Sequence, residues 1–222
     1  MSGGTSDGAQ AKRRLDLVLS FLLIVGCAPL MAVIALAIWI DSPGPVIFRQ
    51  TRVGARQRPD GSWIPVEFEV LKFRSMHPGV DESRHREYIA AFVNGSIEQS
   101  DGANRRFKLS DDDRITRVGR FIRRFSLDEL PQLFNVLSGE MSLVGPRPVP
   151  VYEVEGYANH HRERFNALPG ITGLWQVHGR GRVTFEEMVQ MDIKYVRERD
   201  MWLDIRLLLA TIPAAVIGRG AG

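Results

Sequence analysis

The feature that most limits what this chain can fold into is a run without charge. From Leu17 to Ile40, 24 consecutive residues include no Asp, Glu, Lys or Arg. About 20 apolar residues in a straight helix cross a bilayer. The run is too uniformly apolar for the core helix of a soluble protein, which keeps a polar side. A cleaved signal peptide fits less well, because the run is long and no small-residue cleavage site follows it. Lys12, Arg13 and Arg14 precede the run, and basic flanks mark the cytoplasmic side. Pro29 lies near its middle, shortly after Gly26. An interior proline removes one helical hydrogen bond and clashes with the preceding turn. Two geometries follow. The helix spans with a kink, or it turns back at Pro29 and keeps both ends on the cytoplasmic face. Arginines beyond the run favour the second. The organisation expected is an irregular Gly/Ser-rich lead over 1–11, a re-entrant membrane hairpin over 12–41, and a cytoplasmic-face catalytic domain over 42–222.

Basic residues number 29 against 26 acidic ones, and only Lys12, Lys72, Lys108 and Lys194 are lysines. Guanidinium groups bind phosphate through a rigid fork, so the bias hints at phosphate partners. The single cysteine, Cys27, excludes an internal disulfide framework. The five histidines show no HExxH pattern and have no cysteine partners, which argues against zinc. There is no GxSxG, no repeat and no groove-reading nucleic-acid motif.

Pro45 to Val53 and Trp63 to Arg74 read as two strands around a turn at Pro59, Asp60 and Gly61. Phe68, Val70, Lys72 and Arg74 share parity, so Lys72 and Arg74 are expected on one face. A helical stretch is expected near Glu82 to Val93. Arg114, Arg117, Arg120 and Arg123 recur every three residues, with Val118, Phe121 and Ile122 between them. This basic face suits anionic lipid or substrate phosphate, or simply water.

Ser126 to Glu129 fits the S-x-x-E capping box. Leu130, Leu133, Phe134 and Leu137 then give a helical stripe. Acids in a first helical turn are stabilised by the helix dipole, so local pattern alone reads Asp128 and Glu129 as structural. Gly145-Pro146-Arg147-Pro148 is stiff and non-helical, and it presents one guanidinium. Residues 168–182 are glycine-rich with Arg180 and Arg182. They suggest a nucleotide cradle but match neither phosphate-loop fingerprint. Thr184 to Arg199 reads as an amphipathic helix carrying Asp192 and Tyr195. Met201 to Ile217 is an interfacial helix or a core-packed one.

Five strings now stand in order: KFRSM at 72–76, DRITRVGR at 113–120, SLDELPQLFNVL at 126–137, MSLVGPRP at 141–148 and PGITGLWQV at 169–177. Together they resemble the bacterial sugar transferases, the monotopic polyprenyl-phosphate phosphoglycosyl transferases. The resemblance runs from about Lys12 to about Val216. It implies an α/β-associated monotopic membrane protein with a re-entrant helix-break-helix, a small β-hairpin and amphipathic surface helices. The activity implied is transfer of a sugar 1-phosphate from a UDP-sugar to undecaprenyl phosphate, with release of UMP, at the cytoplasmic face of the bacterial inner membrane.

By the same resemblance Asp128 is the nucleophile that forms an aspartyl-phosphosugar, and Glu129, with Asp128, holds Mg²⁺. Arg147, Arg123, Lys72 and Arg74 match phosphate-binding positions, and Pro29 marks the membrane break. Gln176, Arg180, Asp192 and Tyr195 are candidates for nucleotide or sugar contacts. A homodimer is compatible with the family, and nucleic acid has no role. The family often has Ser-Pro at the membrane break, where this chain has Ala28-Pro29. The chain has no extra N-terminal membrane segments and looks like the minimal catalytic form. The runner-up reading is a non-catalytic membrane scaffold for glycan assembly.

Overall fold

The computed structural model describes residues 4–77, 83–93, 114–179 and 183–216. A single long helix, α1 (Gly4–Asp41), contains the whole charge-free run and has Pro29 inside it. The helix starts well before Lys12, within the segment expected to be irregular. Ala9, Gln10 and Ala11 carry no helix-breaking feature and extend it backwards. The helix is not interrupted at Pro29. Val25, Val33 and Trp39 on it are more than half exposed. It is long and apolar enough to cross a membrane.

Both ends of α1 bond to the same folded body. Near its start, Lys12 Nζ donates to Asp204 Oδ2 at 2.6 Å and to the Val144 carbonyl at 3.2 Å. Arg13 donates to the Val136 and Leu137 carbonyls. Asp16 accepts from Ser142 Oγ and from the Leu143 N–H. At the other end, Asp41 Oδ2 accepts from the Val118 N–H at 3.1 Å. Ile34 and Ile38 pack with Phe73 and Ile122. Lys12 and Arg13 are therefore structural ties between the helix and the folded body.

The expected hairpin is present, with its first strand continuing four residues further toward the turn and its second ending one residue earlier. Strand β1 (Ile47–Gln57) pairs antiparallel with β2 (Trp63–Phe73). Helix α2 (Ser83–Val93) follows. Helix α3 (Arg117–Arg124) is N-capped by Thr116, whose side chain accepts from the Gly119 N–H. Ile122 is its buried anchor, whereas Phe121 is exposed beside Arg117 and Arg120. A 3₁₀ turn at Leu127–Glu129 leads into α4 (Gln132–Ser138).

Strand β3 (Ser142–Val144) pairs in parallel with β5 (Gly170–Thr172). Strand β4 (Val149–Pro150) adds to β1, giving the order β2-β1-β4. Short helices α5 (Val151–Val154) and α6 (Leu174–His178) and a 3₁₀ segment at Asn159–Phe165 fill the connections. Helix α7 (Phe185–Glu198) carries a capping box between Thr184 and Glu187, and α8 (Met201–Val216) closes the described chain. Leu207 and Asp204 of α8 are buried while Trp202, Leu209 and Ile212 are exposed. One side of that helix therefore packs on the core, and the other presents apolar residues to the outside.

Two core clusters position the site. One joins Phe68 and Val70 of β2 to Leu133 and Val136 of α4 and to Tyr195 and Leu207. The other joins Val53 and Val149 to Tyr157, Phe165, Phe185 and Val189.

Candidate active site

The capping box expected at Ser126 does not form. Ser126 adopts a left-handed backbone (φ 56°, ψ 23°), and its side chain caps nothing. A capping side chain needs an extended backbone at that position. Here the chain reverses sharply out of α3, and Pro131 becomes the residue that precedes α4. Asp128 and Glu129 thus lie in the tight turn between two helices rather than in a helix's first turn. Holding a non-glycine residue left-handed costs about 1–3 kcal/mol, and the packing on either side sustains it.

Asn135 docks this turn against the hairpin. Its Oδ1 accepts from the Leu71 N–H at 3.0 Å, and its Nδ2 donates to the Glu69 carbonyl at 2.8 Å. Strand β2 is the sheet edge, so one buried amide takes the place of a neighbouring strand. This contact sets the dyad's height against Lys72.

Glu129 is clamped. Lys72 Nζ lies 3.1 Å, and Arg147 Nη2 3.0 Å, from the same oxygen, Oε1. Burial pushes the Glu129 carboxyl upward, but Lys72 and Arg147 outweigh that effect and hold it well below the usual carboxylate range. Asp128 differs. Among the described residues no hydrogen-bond or ion-pair partner takes its carboxylate. Burial raises its pKa, Glu129 raises it further, and Lys72, Arg123 and Arg147 oppose the shift. Two adjacent acids are thereby pushed apart, one a fixed anion and the other a free and more basic carboxylate.

Arg147 is aimed by backbone packing. The Gly145 N–H donates to the Thr172 carbonyl and the Gly170 N–H to the Pro146 carbonyl. A side chain on Gly145 would come within 2.3 Å of the Leu168 carbonyl, and one on Gly170 within 2.1 Å of the Gly145 nitrogen. The glycines at 170 and 173, read above as part of a nucleotide cradle, serve instead to let two backbones cross. Behind them Arg164 donates through Nη2 to the Arg147 carbonyl at 3.2 Å.

The structure brings Asp128, Glu129, Lys72, Arg123 and Arg147 together. Arg74 is not part of this group: it follows β2, is buried, and donates to the carbonyl and hydroxyl of Ser42 at 2.7 and 2.9 Å. Gln176 is buried and donates to the Ile171 carbonyl. Asp192 is fully buried against Arg164. Tyr195 is buried, with its hydroxyl within 2.9 Å of the Val144 carbonyl and 2.8 Å of Asp204. These three are scaffold positions, and Arg180 lies outside the described residues.

Sequence reasoning missed Asn135, Arg164 and Arg52. For Arg52 a signal existed: pairing the hairpin about its turn puts Arg52 opposite Phe68, on the face of Lys72. The fold also gathers His160, His161 and Glu186, which no spacing motif announced. His161 Nδ1 accepts from the Ala158 N–H, so Nε2 carries the proton that faces Glu186 at 2.9 Å. That nitrogen has no lone pair left for a metal, and the group reads as a surface latch.

The profile of the family described as bacterial sugar transferase matches residues 8–218. This chain belongs to that family. It is 39% identical over 212 residues to the galactosyl transferase CpsE of Streptococcus agalactiae, covering 95% of this chain and 43% of that protein. It is 41% identical over 210 residues to the undecaprenyl-phosphate galactose phosphotransferase of Salmonella typhimurium, covering 95% and 41%. It is 41% identical over 211 residues to the UDP-glucose:undecaprenyl-phosphate glucose-1-phosphate transferase of Caulobacter vibrioides, covering 91% and 68%. The chain thus spans less than half the length of the first two of these sugar transferases.

Proposed function

We propose that this sugar transferase moves a sugar 1-phosphate from a UDP-sugar to undecaprenyl phosphate, through a covalent intermediate on Asp128. The observation that carries this reading is the asymmetry of the dyad. Glu129 is held by two cations through one oxygen, while Asp128 has a carboxylate free to attack. An Asp128 oxygen forms a bond to the phosphorus that bears the sugar. The bond from that phosphorus to the bridging oxygen breaks, and UMP leaves with the electron pair. A phosphate oxygen of the lipid then attacks the same phosphorus, and the Asp128 carboxylate is released. Splitting the transfer in two lets one small anion replace a direct encounter of two phosphates. Lys72, Arg123 and Arg147 offset the repulsion between carboxylate and phosphate.

A magnesium ion fits this chemistry. Glu129 Oε1 is occupied, but Oε2 has no partner among the described residues, and Asp128 offers further hard oxygens. Asp128 and Glu129 would hold the ion, which would supply charge neutralisation at the donor phosphates.

The same reading puts the site at the cytoplasmic face of the inner membrane, with α1 re-entrant. From Lys12 to Asp41 a straight helix measures about 44 Å at 1.5 Å per residue, more than the roughly 30 Å hydrocarbon layer. Yet Lys12 and Asp41 both bond to one catalytic body. A helix whose ends meet the same body does not deliver them to opposite faces. A bend at Pro29 would bury the exposed apolar middle and return the chain to the headgroups, where a lipid phosphate can reach Asp128.

The experiment is UMP release from a panel of UDP-sugars, with Mg²⁺ and undecaprenyl phosphate, followed by trapping of sugar phosphate on the protein. Release without any protein-bound sugar phosphate under single-turnover conditions would sink the covalent step. Labelling of a cysteine placed at the exposed Pro43 by a membrane-impermeant reagent from the periplasm would sink the re-entrant geometry.

A further inference from the structure

Among the described residues, Arg52 is a cation without a carboxylate of its own. It sits on β1 opposite Phe68 of β2 and Pro150 of β4. Cross-strand partners share a face, so Phe48 with Lys72, Gln50 with Val70 and Arg52 with Phe68 form one row. Arg52 Nε and Nη2 both donate to Gln50 Oε1, at 3.1 and 2.6 Å. That acceptor is neutral. It fixes the guanidinium plane and leaves Nη1 without a protein partner among the described residues.

The simplest explanation would be that Arg52 balances a nearby acid. Glu129 and Glu153 both lie within its electrostatic reach. Glu129, however, already has Lys72 and Arg147. Glu153 is buried, bonded to the Tyr157 hydroxyl and 3.7 Å from Arg164. Arg52 is surplus to both. Its other close neighbour is a second guanidinium: burial and Arg147 push its pKa down to about 10, which still leaves it charged at neutral pH. Two arginines held side by side in a half-buried site repel each other until a polyanion bridges them.

We propose that Arg52 binds the donor phosphate that departs with the nucleotide, while Arg147 holds the phosphate that Asp128 attacks. The inference rests on the transfer reaction proposed above. The shared chemistry is a phosphate group, and it could come from the nucleotide or from the lipid. The fold favours the nucleotide. The Lys72 end of the hairpin adjoins the membrane helix, through Phe73 and Ile38. Arg52 lies four residues along β1 from Phe48, about 13 Å at 3.3 Å per residue. Its row partner Phe68 packs in a cluster that Leu19 and Ile24 of α1 also touch, so the spacing along β1 from the Lys72 end, and not distance from α1, assigns Arg52 to the departing half of the donor.

The test compares the full chain with Arg52→Gln and Arg52→Lys. Donor KM, lipid KM and inhibition by UMP are measured on all three. Loss of one charge-assisted contact predicts donor KM and the UMP inhibition constant raised about 10- to 100-fold in Arg52→Gln. Arg52→Lys is expected to fall between that variant and the parent, and the lipid KM should not change. An unchanged UMP inhibition constant overturns the proposal, and so does a rise confined to the lipid KM.

A second measurement needs no variant. UMP is expected to protect Arg52 from phenylglyoxal, located by mass spectrometry, while uridine does not. Equal modification of Arg52 with and without UMP overturns the proposal. Failure of the parent chain to release UMP from any donor would instead defeat the transfer reading itself, so the two failures are distinct.

Discussion

Two neighbouring clusters in this sugar transferase set arginine against carboxylates, and they differ in what they leave open. Around the dyad, Lys72 and Arg147 hold Glu129, while Asp128 has no hydrogen-bond or ion-pair partner among the described residues. Behind it, Arg164 is enclosed by Asp192, Glu153 and Tyr157 and has no exposed side-chain surface. Burial pushes the Asp192 carboxyl up to about 7 against the pull of Arg164. Asp192 and Glu153 both face the Arg164 guanidinium, Asp192 the more closely. The rear cluster is closed and fixes the Arg147 backbone. The front cluster keeps a carboxylate with no direct partner among the described residues, under the field of Lys72, Arg123 and Arg147. The same residue types therefore serve as scaffold where the fold seals them and as chemistry where it does not.

The most severe break of this contrast is Asp128→Asn. It keeps shape and removes the free anion, so transfer should fall by at least about 1,000-fold. The melting temperature should stay near that of the parent. UMP release together with protein-bound sugar phosphate measures the first, and a thermal melt the second.

Arg164→Met strikes the closed cluster instead. Removing one partner of a buried ionic group costs about 3–5 kcal/mol, readable as a large fall in melting temperature. Activity should fall with it, because the Arg147 carbonyl loses its support. The pH dependence of the same cluster has a definite sign. Asp192 has a folded pKa above its unfolded 3.8. Its contribution to stability is complete below about pH 4 and is lost as pH rises through about 7. Relative to Asp192→Asn, the parent should therefore lose stability across that window; a difference that grows the other way would show Asp192 to be a fixed anion.

A smaller effect is expected from Lys72→Met, in the range of 10- to 100-fold on donor kcat/KM for one charged contact, or about 1.5–3 kcal/mol. Asp128 must be ionised to attack, and its pKa is raised. The acid limb of the rate profile should thus lie above the ordinary aspartate value. Lys72 lowers that pKa, so its loss should move the limb to higher pH. A limb that does not move would mean that Lys72 does not reach Asp128 electrostatically. The smallest change is Ser126→Gly, which relieves a left-handed serine. It should stabilise by up to about 1 kcal/mol, with transfer retained, as a denaturation curve and the UMP assay would show.

Much of the fold could be read locally. The β1–β2 hairpin was legible because turn residues and period-two alternation lie within one short stretch. Helix α7 was legible because its amphipathic period is local too. The dyad turn was misread for the converse reason. Ser126 and Glu129 have the capping spacing, but capping depends on the Ser126 backbone, which the exit from α3 and the position of Pro131 decide. Gln176, Asp192 and Tyr195 looked available for a ligand because polarity in sequence does not reveal burial. The glycines at 170 and 173 looked like a cradle because their crossing with Gly145 lies about 25 residues away in the chain.

The sequence alone determined that the chain carries a long charge-free helix, that a hairpin carries Lys72, and that an acid pair and a Pro-Arg-Pro segment follow in the order of the sugar transferase family. These are properties of neighbouring residues and of motif order. Only the tertiary structure decided which acid is free. Lys72 reaches Glu129 from 57 residues away and Arg147 from 18. Ionisation and access are set by what the fold brings within a few ångströms, not by what stands next in the chain.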